Sequence, residues 1–459
     1  MQTISSSEGR QIPGPQGETA AALLSSFAQD MLGTTIKGFH AYGPIVKYSL
    51  GPMTMIVLSD PGLARELLVE RDREFQKVDT DQGLGLMIGE ALLTFNEHNT
   101  WFARRRMMQP MFHRQRLATM GARMVEAGER MLQRWQAAGE QSEIDASQEM
   151  IEVTLDIINQ TMFSTNVLED VDKIGPASQL TTVFLQEVKG NPQLATLPPG
   201  DERVQKFLAA RQAIDDVIYG IIRRRRASQQ SHDDLLDLLM QARDADTGEG
   251  MTDQQLRNEV LDIFAAGHET TAHTLTWALY LLTQHPEAFA RMHEEVDTVL
   301  AGRTPTLSDL SVLPYTQRVF SEALRIYPAV PIGGPRRAQH DTTLGGYTIP
   351  AGSRLVVDIY NIHHDPTLWP QPEEFDPDRF LPEHSKGRHP LAFMPFGAGP
   401  HKCIGSNLAE IEGPLLLAMI AQHYDLELVP GQQVEPQLAI TLRPRNGLRV
   451  RLHPRATHG

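Results

Sequence analysis

The chain contains a single cysteine, Cys403, among its 459 residues. One thiol cannot form an internal disulfide, so this residue is a buried free thiol, an exposed accident, a metal ligand or a nucleophile. No stretch approaches the roughly eighteen apolar residues that a bilayer-spanning helix needs, and the polar start "MQTISSSEGRQIPGPQGE" has no apolar signal region. These absences predict a cytoplasmic protein with no stable membrane anchor.

The sequence also lacks an excess of basic residues. Its formal net charge is −15, which argues against nucleic acid as a partner because phosphate binding needs a basic surface. A hydrophobic content of 41% and a charged content of 22% are typical of a globular protein. Since no internal repeat or Gly/Ser linker divides the chain, we expect one large domain over residues 1–459, with a flexible N-terminal segment at residues 1–20.

Apolar periodicity predicts a mainly α fold with small β-sheets at its edges. Residues 45–58 alternate and break at Gly51-Pro52, which indicates a hairpin. From about 100 to 300 the pattern is almost continuously helical, and short strands are predicted again at 341–358 and 425–452.

The cysteine lies in the segment "FMPFGAGPHKCIG", residues 393–405. Three glycines give the backbone freedom around it, Pro400 stiffens the approach, and a helical pattern starts just after Gly405. A helix N-terminus favours a thiolate over a thiol. This setting suits a soft metal ligand, and it suits a catalytic nucleophile equally.

A second unusual segment is "AAGHETT", in the middle of a helix predicted from Thr252 to about Gln284. Its small residues allow a bulky group to approach the backbone. Glu269 and Thr270 then place an acid and an alcohol side by side, which is either a surface turn of an amphipathic helix or a proton-delivery pair. His268 and His273 are five residues apart and so face different directions; satisfied or solvent-facing imidazoles are the simpler interpretation.

Two further helices carry paired polar residues. Glu322 and Arg325 share a helix face, either as a surface ion pair or, if Arg379 joins them, as a buried network. Trp101 and Arg105 are four residues apart and present an indole N–H and a guanidinium on one face.

These four segments, in this order, resemble the cytochrome P-450 family of haem-thiolate monooxygenases over essentially the whole chain. The Cys loop fits F-x-x-G-x-x-x-C-x-G, the acid–alcohol motif is Ala266–Thr271, and the W-x-x-x-R and E-x-x-R pairs complete the pattern. The chain is most similar to soluble, bacterial-type members.

The resemblance implies that Cys403 is the proximal ligand of the iron of haem b, which would lie between the acid–alcohol helix and the Cys loop. Thr270 would hydrogen-bond dioxygen or its water while Glu269 relays protons, and Glu322, Arg325 and Arg379 would be structural. The resemblance further implies that the cofactor is contacted by Trp101, Arg105, Arg336 (with Arg337 as an alternative), Phe396, His401 and Gly405.

The resemblance leaves the substrate open. The family's pocket segments here supply apolar side chains, which predicts a small apolar organic substrate: Leu84, Leu86, Met87, Ile88, Phe264, Ala265, Val330, Ile332 and Ile440. Electrons would come from a separate ferredoxin or flavodoxin that docks near Arg104, Arg106 and Lys402.

A peroxide-driven or rearranging haem-thiolate enzyme and a haem-based sensor are the alternative functions, and the acid–alcohol pair weighs against both. Pro414 is expected to kink the helix after the cysteine.

Overall fold

The computed structural model describes residues 9–78, 84–163, 200–228 and 230–455, together with scattered positions between 177 and 198. The helices are α1 Ala20–Gln29, α2 Met31–Tyr42, α3 Pro61–Arg65, α4 Leu84–Ile88, α5 His98–Met108, α6 Arg114–Ala118, α7 Gly121–Ala138, α8 Ala146–Phe163, α9 Glu202–Ala227, α10 Leu235–Gln241, α11 Asp253–Gln284, α12 Pro286–Leu300, α13 Pro314–Ile326, α14 Ile359–His364, α15 Pro382–Ser385 and α16 Ser406–His423. The strands are β1 Ile45–Leu50, β2 Met53–Leu58, β3 Phe75–Lys77, β4 Glu143–Asp145, β5 Ile332–Ala338, β6 Thr342–Leu344, β7 Tyr347–Ile349, β8 Arg354–Asp358, β9 Tyr424–Leu428, β10 Pro436–Leu438, β11 Leu442–Pro444 and β12 Arg449–Pro454.

The sheets are small and lie at the edges of the helical body, as the sequence predicts. The largest has the strand order β1-β2-β8-β5-β3, and a second has the order β4-β12-β9. The predicted hairpin is confirmed, since β1 pairs antiparallel with β2 and Gly51 adopts the positive φ of 72° that the tight turn requires. Strands β6–β7 and β10–β11 form two separate ladders.

Helix α11 is the central element of the main hydrophobic core. Thr252 caps it, and a capping box with Gln255 satisfies the first free N–H groups. Its residues 256–263 and 271–279 are buried, and it packs against α8, α13 and α16. The segment between these stretches, residues 264–270, is partly exposed. Because the helix is buried on both sides of that segment, "AAGHETT" is an accessible turn of an interior helix, which argues against the surface-turn interpretation.

One expectation about a flanking segment changes, and the expected kink at Pro414 stays a prediction. Residues 10–13 are not a flexible lead-in: Arg10 forms backbone hydrogen bonds with Gly346 and Thr348, and Ile12 is buried. Helix α16 runs without a break through Pro414. The side chains that follow this proline are almost all buried, and Gly413 lies so close to Phe320 that a Cβ would meet the ring at 2.1 Å, so tertiary packing holds the helix where its local sequence disfavours it.

Candidate active site

The Cys loop is held in shape by its own backbone and by close packing. Gly399 has a φ of 69°, and a Cβ at this position would lie 1.9 Å from the carbonyl oxygen of Leu68, so only glycine fits here. The N–H of Cys403 donates to the carbonyl of Phe396 at 2.9 Å, while the N–H of Gly405 is directed at the cysteine sulfur. The loop therefore fixes the position of the sulfur just before α16.

The thiol of Cys403 is accessible although protein atoms surround it densely. Burial raises the pKa of this thiol, and the opposing effects of the Gly405 N–H and of Arg105 do not compensate. The prediction that the helix N-terminus favours a thiolate is therefore wrong for the chain alone, because desolvation is the larger effect. A bound metal ion stabilises the thiolate where the helix N-terminus does not, because a coordinating thiol is deprotonated outright.

Helix α5 and the Cys loop together place aromatic and cationic groups beside the cysteine. The rings of Trp101 and His401 stack with centroids 3.6 Å apart, and the guanidinium carbon of Arg105 lies 5.7 Å from the Trp101 ring centroid. Trp101 is buried, and Arg105 is close enough to act electrostatically on the Cys403 thiol. The expectation that these two α5 residues share one face is confirmed.

Strand β5 settles which arginine of the doublet points to this cluster. Arg336 is buried and donates to Asp72 at 3.0 Å, whereas Arg337 points to the other face of the strand and is half-buried. The same Asp72 oxygen lies 3.6 Å from Nε2 of His401. Sequence reasoning missed Asp72, because nothing in its local sequence distinguishes it from the other acids of the segment.

Positive charge exceeds negative charge in this cluster. Burial, Arg336 and Lys77 together lower the pKa of His401 to about 2. Nε of Arg336 and Oδ2 of Asp72 are buried without hydrogen-bond partners in the described part of the chain. Buried cations of this kind stabilise an anionic ligand, because a carboxylate placed here forms charge-assisted hydrogen bonds in a poorly solvated space.

The acid–alcohol motif lies on α11 as predicted. Thr270 donates its hydroxyl hydrogen to the carbonyl of Ala266 at 2.9 Å, which leaves the oxygen lone pairs free to accept from a water. Ala266 is exposed in the middle of an otherwise buried helix, and Gly267 faces Ile158 of α8. Asp262, Ala266 and Thr270 follow one another at four-residue intervals and so share a stripe of α11, of which Asp262 is buried and Ala266 is exposed. Asp262 also acts electrostatically on Cys403.

Glu269 is held by two neighbours. Its Oε1 accepts a hydrogen bond from Thr441 at 3.1 Å and lies 3.4 Å from Nε2 of His273. Burial acts to raise the pKa of Glu269, but the contacts with His273 and Thr441 outweigh it, and the net shift is downward. His268 is satisfied as predicted, by its contact with the Phe264 carbonyl at 2.7 Å. Sequence reasoning did not anticipate that His273 and Thr441 contact the acid.

The predicted charged network is buried, and both oxygens of its carboxylate are paired. Arg325 donates to Glu322 through Nε at 2.7 Å and through a terminal nitrogen at 2.8 Å, and neither side chain is exposed. Nε of Arg379 lies 3.3 Å from the same carboxylate. His363 adds a buried link, because its carbonyl accepts from Arg325 and its Nε2 accepts the N–H of Met394. This geometry excludes the surface ion pair.

The predicted pocket residues do not all meet. Leu86, Met87, Phe264 and Ala265 belong to the main core or pack against it, whereas Ile332 packs against a separate cluster near α1. The expected place of Ile332 in the pocket is therefore not supported. Val330 and Ile440 are exposed by 39% and 36% respectively. Sequence reasoning also missed Leu93, which is 48% exposed although its N–H donates to the buried Asp262 of α11.

Two of the three cations expected to dock an electron carrier are already engaged. Arg104 is buried and lies 3.5 Å from Glu259, and Arg106 pairs with Asp244 and Asp246. Lys402 is exposed. The expectation fails for the two arginines because their acidic partners come from α11 and from the segment before it, which are far away in sequence.

A fixed, accessible cysteine, a cluster of unbalanced cations and an acid–alcohol helix together define the site of a haem-thiolate protein. The Cytochrome P450 family model matches residues 15–450. Cyclooctat-9-en-7-ol 5-monooxygenase of Streptomyces melanosporofaciens is 34% identical over 396 residues, covering 85% of this chain and 84% of that protein. Pentalenene oxygenase of Streptomyces avermitilis is 33% identical over 429 residues, covering 92% of each chain.

The solved structures agree with the sequence relatives. The crystal structure of the cytochrome P450DA heme domain superposes with a TM-score of 0.86 at 26% identity, covering 98% of this chain and 99% of that one. The chain therefore belongs to the cytochrome P450 family and is a haem-dependent monooxygenase. Its residues fit that cofactor, because the cysteine sulfur can ligate iron and the buried cations can bind carboxylates. Among the described residues, no helix is both long enough and apolar enough to cross a bilayer.

Proposed function

We propose that the chain forms a single haem domain over residues 1–459, with haem b held between α11 and the Cys loop and Cys403 as the iron ligand. The exposure of Cys403 beside the buried cation of Arg336 and the Trp101–His401 stack is the observation that carries this proposal. The remaining cofactor contacts are Trp101, Arg105, Arg336, Phe396, His401 and Gly405.

Haem supplies the redox-active iron at which dioxygen is activated, and the protein supplies everything around it. Arg336, Arg105 and His401 would hold the carboxylates of the cofactor in the cation cluster described above. Glu322, Arg325 and Arg379 act structurally, because their buried network ties α13 to the segment that precedes the Cys loop.

Thr270 and Glu269 deliver protons. The Thr270 hydroxyl, whose hydrogen is engaged by Ala266, accepts a hydrogen bond from a water and holds this water beside the reacting oxygen. The Glu269 carboxylate is about one third exposed, so it can exchange protons with water while Thr441 and His273 hold it in place. This pair favours a monooxygenase over a peroxide-driven enzyme, which receives its protons with the peroxide.

The substrate is a small apolar organic molecule. Leu86, Met87, Phe264, Ala265 and Val330 offer hydrocarbon surface, as do Ile440 and Leu93. A pocket of this kind binds by burial of apolar area. Because similar proteins are named for cyclooctat-9-en-7-ol and pentalenene, terpene-like hydrocarbons are the first class to test. A spectral-shift titration with terpenes, fatty acids, steroids and aromatics tests this proposal, and binding of fatty acids alone would contradict it.

Electrons come from a separate ferredoxin- or flavodoxin-type donor. Both carriers are acidic, and the exposed Lys402 adjoins the iron ligand in sequence. Opposite charge guides such an encounter and speeds its association. Since Arg104 and Arg106 are already paired, Lys402 is the cation of the original three that remains for this role.

The ligand assignment is tested by replacing Cys403 with histidine. We expect the wild-type protein to bind one haem, and its reduced carbon monoxide complex to show the red-shifted Soret band of thiolate ligation. Cys403→His should lose that band even where it retains haem. A wild-type protein without the band, or a variant with an unchanged spectrum, would contradict the central assignment.

The relay is tested by Thr270→Ala, which removes the hydroxyl that holds the water. The variant should still bind haem and consume the electron donor and dioxygen, but product per dioxygen should fall and released hydrogen peroxide should rise to match. Added peroxide should restore part of the turnover. A fully coupled Thr270→Ala enzyme would remove this hydroxyl from the relay, and a wild type active only with peroxide would favour the peroxygenase alternative.

A further inference from the structure

His273 is a buried imidazole whose polar atoms lack hydrogen-bond partners. It lies one turn after Glu269 on α11 and is 3% exposed. Within the described residues, neither ring nitrogen has a partner that meets hydrogen-bond geometry. Its Nε2 points at Oε1 of Glu269 across 3.4 Å.

A side chain that served only packing would not be an imidazole at this position. Leaving a buried polar group without a partner costs free energy that a leucine or phenylalanine would avoid. The group in reach that compensates this cost is the carboxylate of Glu269. The contact is therefore an electrostatic one between two neighbouring turns of the same helix.

The same carboxylate oxygen is contacted from a second direction. Thr441 donates its hydroxyl to Oε1 of Glu269 from the turn between β10 and β11. That turn is fixed to α11, because Nε1 of Trp277 donates to the carbonyl of Leu442 at 3.0 Å. One carboxylate oxygen is thus hydrogen-bonded by Thr441 and approached by the imidazole of His273, from two different elements.

We propose that His273 is a positioning residue for Glu269: its Nε2–H, together with the Thr441 hydroxyl, holds the carboxylate in one orientation and keeps it ionised. This inference rests on the proposed role of Glu269 as the relay acid. It adds a third member to the acid–alcohol pair, on the helix face that carries Glu269.

The neighbouring groups determine the sign of the expected effect. The groups that act most strongly on Glu269 are His273 and His268 of α11 and the neutral hydroxyl of Thr441. From α8 the neutral hydroxyl of Thr154 contacts the carbonyl of His268. Burial raises the pKa of Glu269 and the His273 contact lowers it, so removal of the imidazole donor should raise that pKa.

Two replacements separate the donor from the shape of the side chain. His273→Leu removes the N–H group, whereas His273→Gln retains an N–H donor at a similar distance from Cα. Infrared spectroscopy of the resting, substrate-free holoenzyme measures the protonation state of Glu269. The band of its protonated carboxyl is identified as the carboxyl band that the Glu269→Gln protein lacks. We expect this band to persist to a higher pH in His273→Leu, by at least about one pH unit, and to return toward wild type in His273→Gln.

Turnover gives a second measurement. His273→Leu should consume dioxygen at a similar rate but form less product per dioxygen, and His273→Gln should recover most of the coupling. Thr441→Val, which removes the second donor and keeps the shape, should shift the infrared titration in the same direction; it also provides the test if His273→Leu does not fold.

The outcomes distinguish this inference from the proposed function. If Glu269→Gln remains fully coupled, the relay role of Glu269 is wrong. If Glu269→Gln uncouples while His273→Leu keeps both the wild-type titration and the wild-type coupling, the role of His273 is overturned. A change confined to thermal stability, with an unmoved infrared titration, would likewise overturn it.

Discussion

Two clusters of buried charge in this protein differ in how completely their carboxylates are paired. In the first, both oxygens of Glu322 accept hydrogen bonds from Arg325, and the unpartnered atom is Nε of Arg379, 3.3 Å from that carboxylate. In the second, Asp72 is the carboxylate beside both Arg336 and His401, and an arginine nitrogen and a carboxylate oxygen remain unpartnered among the described residues.

The difference indicates what each cluster is for. A network whose carboxylate is fully paired stabilises the fold only while it is intact, because removing one partner leaves a buried charge. In a buried cluster with excess cations, the positive charge is poorly compensated until an anion binds. We therefore interpret the first as structural and the second as the place where the haem carboxylates bind.

The largest effect is expected where the first cluster loses its carboxylate. Glu322→Ala leaves Arg325 and Arg379 buried without their carboxylate, which should cost about 3–5 kcal/mol in the free energy of unfolding. Denaturant unfolding followed by circular dichroism measures this cost. Glu202→Ala is the matched control, because the Glu202–Lys206 pair is exposed and should contribute less than about 1 kcal/mol. Equal losses of unfolding free energy in the two variants would contradict the distinction between the buried network and an exposed ion pair.

A smaller and more selective effect is expected in the second cluster. Arg336→Leu is combined with Asp72→Asn, so that no carboxylate is left buried and unpaired. The haem-free double variant should unfold like the haem-free wild type, whereas its dissociation constant for haem should rise at least about tenfold, equivalent to about 1.4 kcal/mol. Transfer of haem to an apoprotein scavenger measures this affinity. Arg337→Leu, on the other face of β5, should retain haem normally, and comparable loss from that variant would reverse the choice between the two arginines.

The smallest effect is expected at exposed cations, where water screens the charge. Lys402→Gln should slow reduction by an acidic ferredoxin a few-fold at low salt, with the difference shrinking as ionic strength rises. Arg106→Gln should change this rate less, because Asp244 and Asp246 already neutralise Arg106. Stopped-flow reduction at several salt concentrations compares the two, and a larger effect at Arg106 would contradict the docking proposal.

The four motifs could be found from sequence because each is local. Trp101 and Arg105 meet through helical spacing, as do Glu322 and Arg325, and the Cys loop is shaped by its own glycines and proline. The same locality produced an error. The N-terminal residues were expected to be flexible, because the pairing of Arg10 with β7 is not visible in the neighbouring residues.

The sequence by itself determined the fold class and the position of the acid–alcohol pair on one helix, since these depend on residue type and short spacing. Only the tertiary structure decided which charges are paired. Asp72 meets Arg336 across 264 positions of the chain, and Thr441 meets Glu269 across 172. Such contacts depend on which side chains packing removes from water, and the strength of a charge pair depends on that burial rather than on the order of residues along the chain.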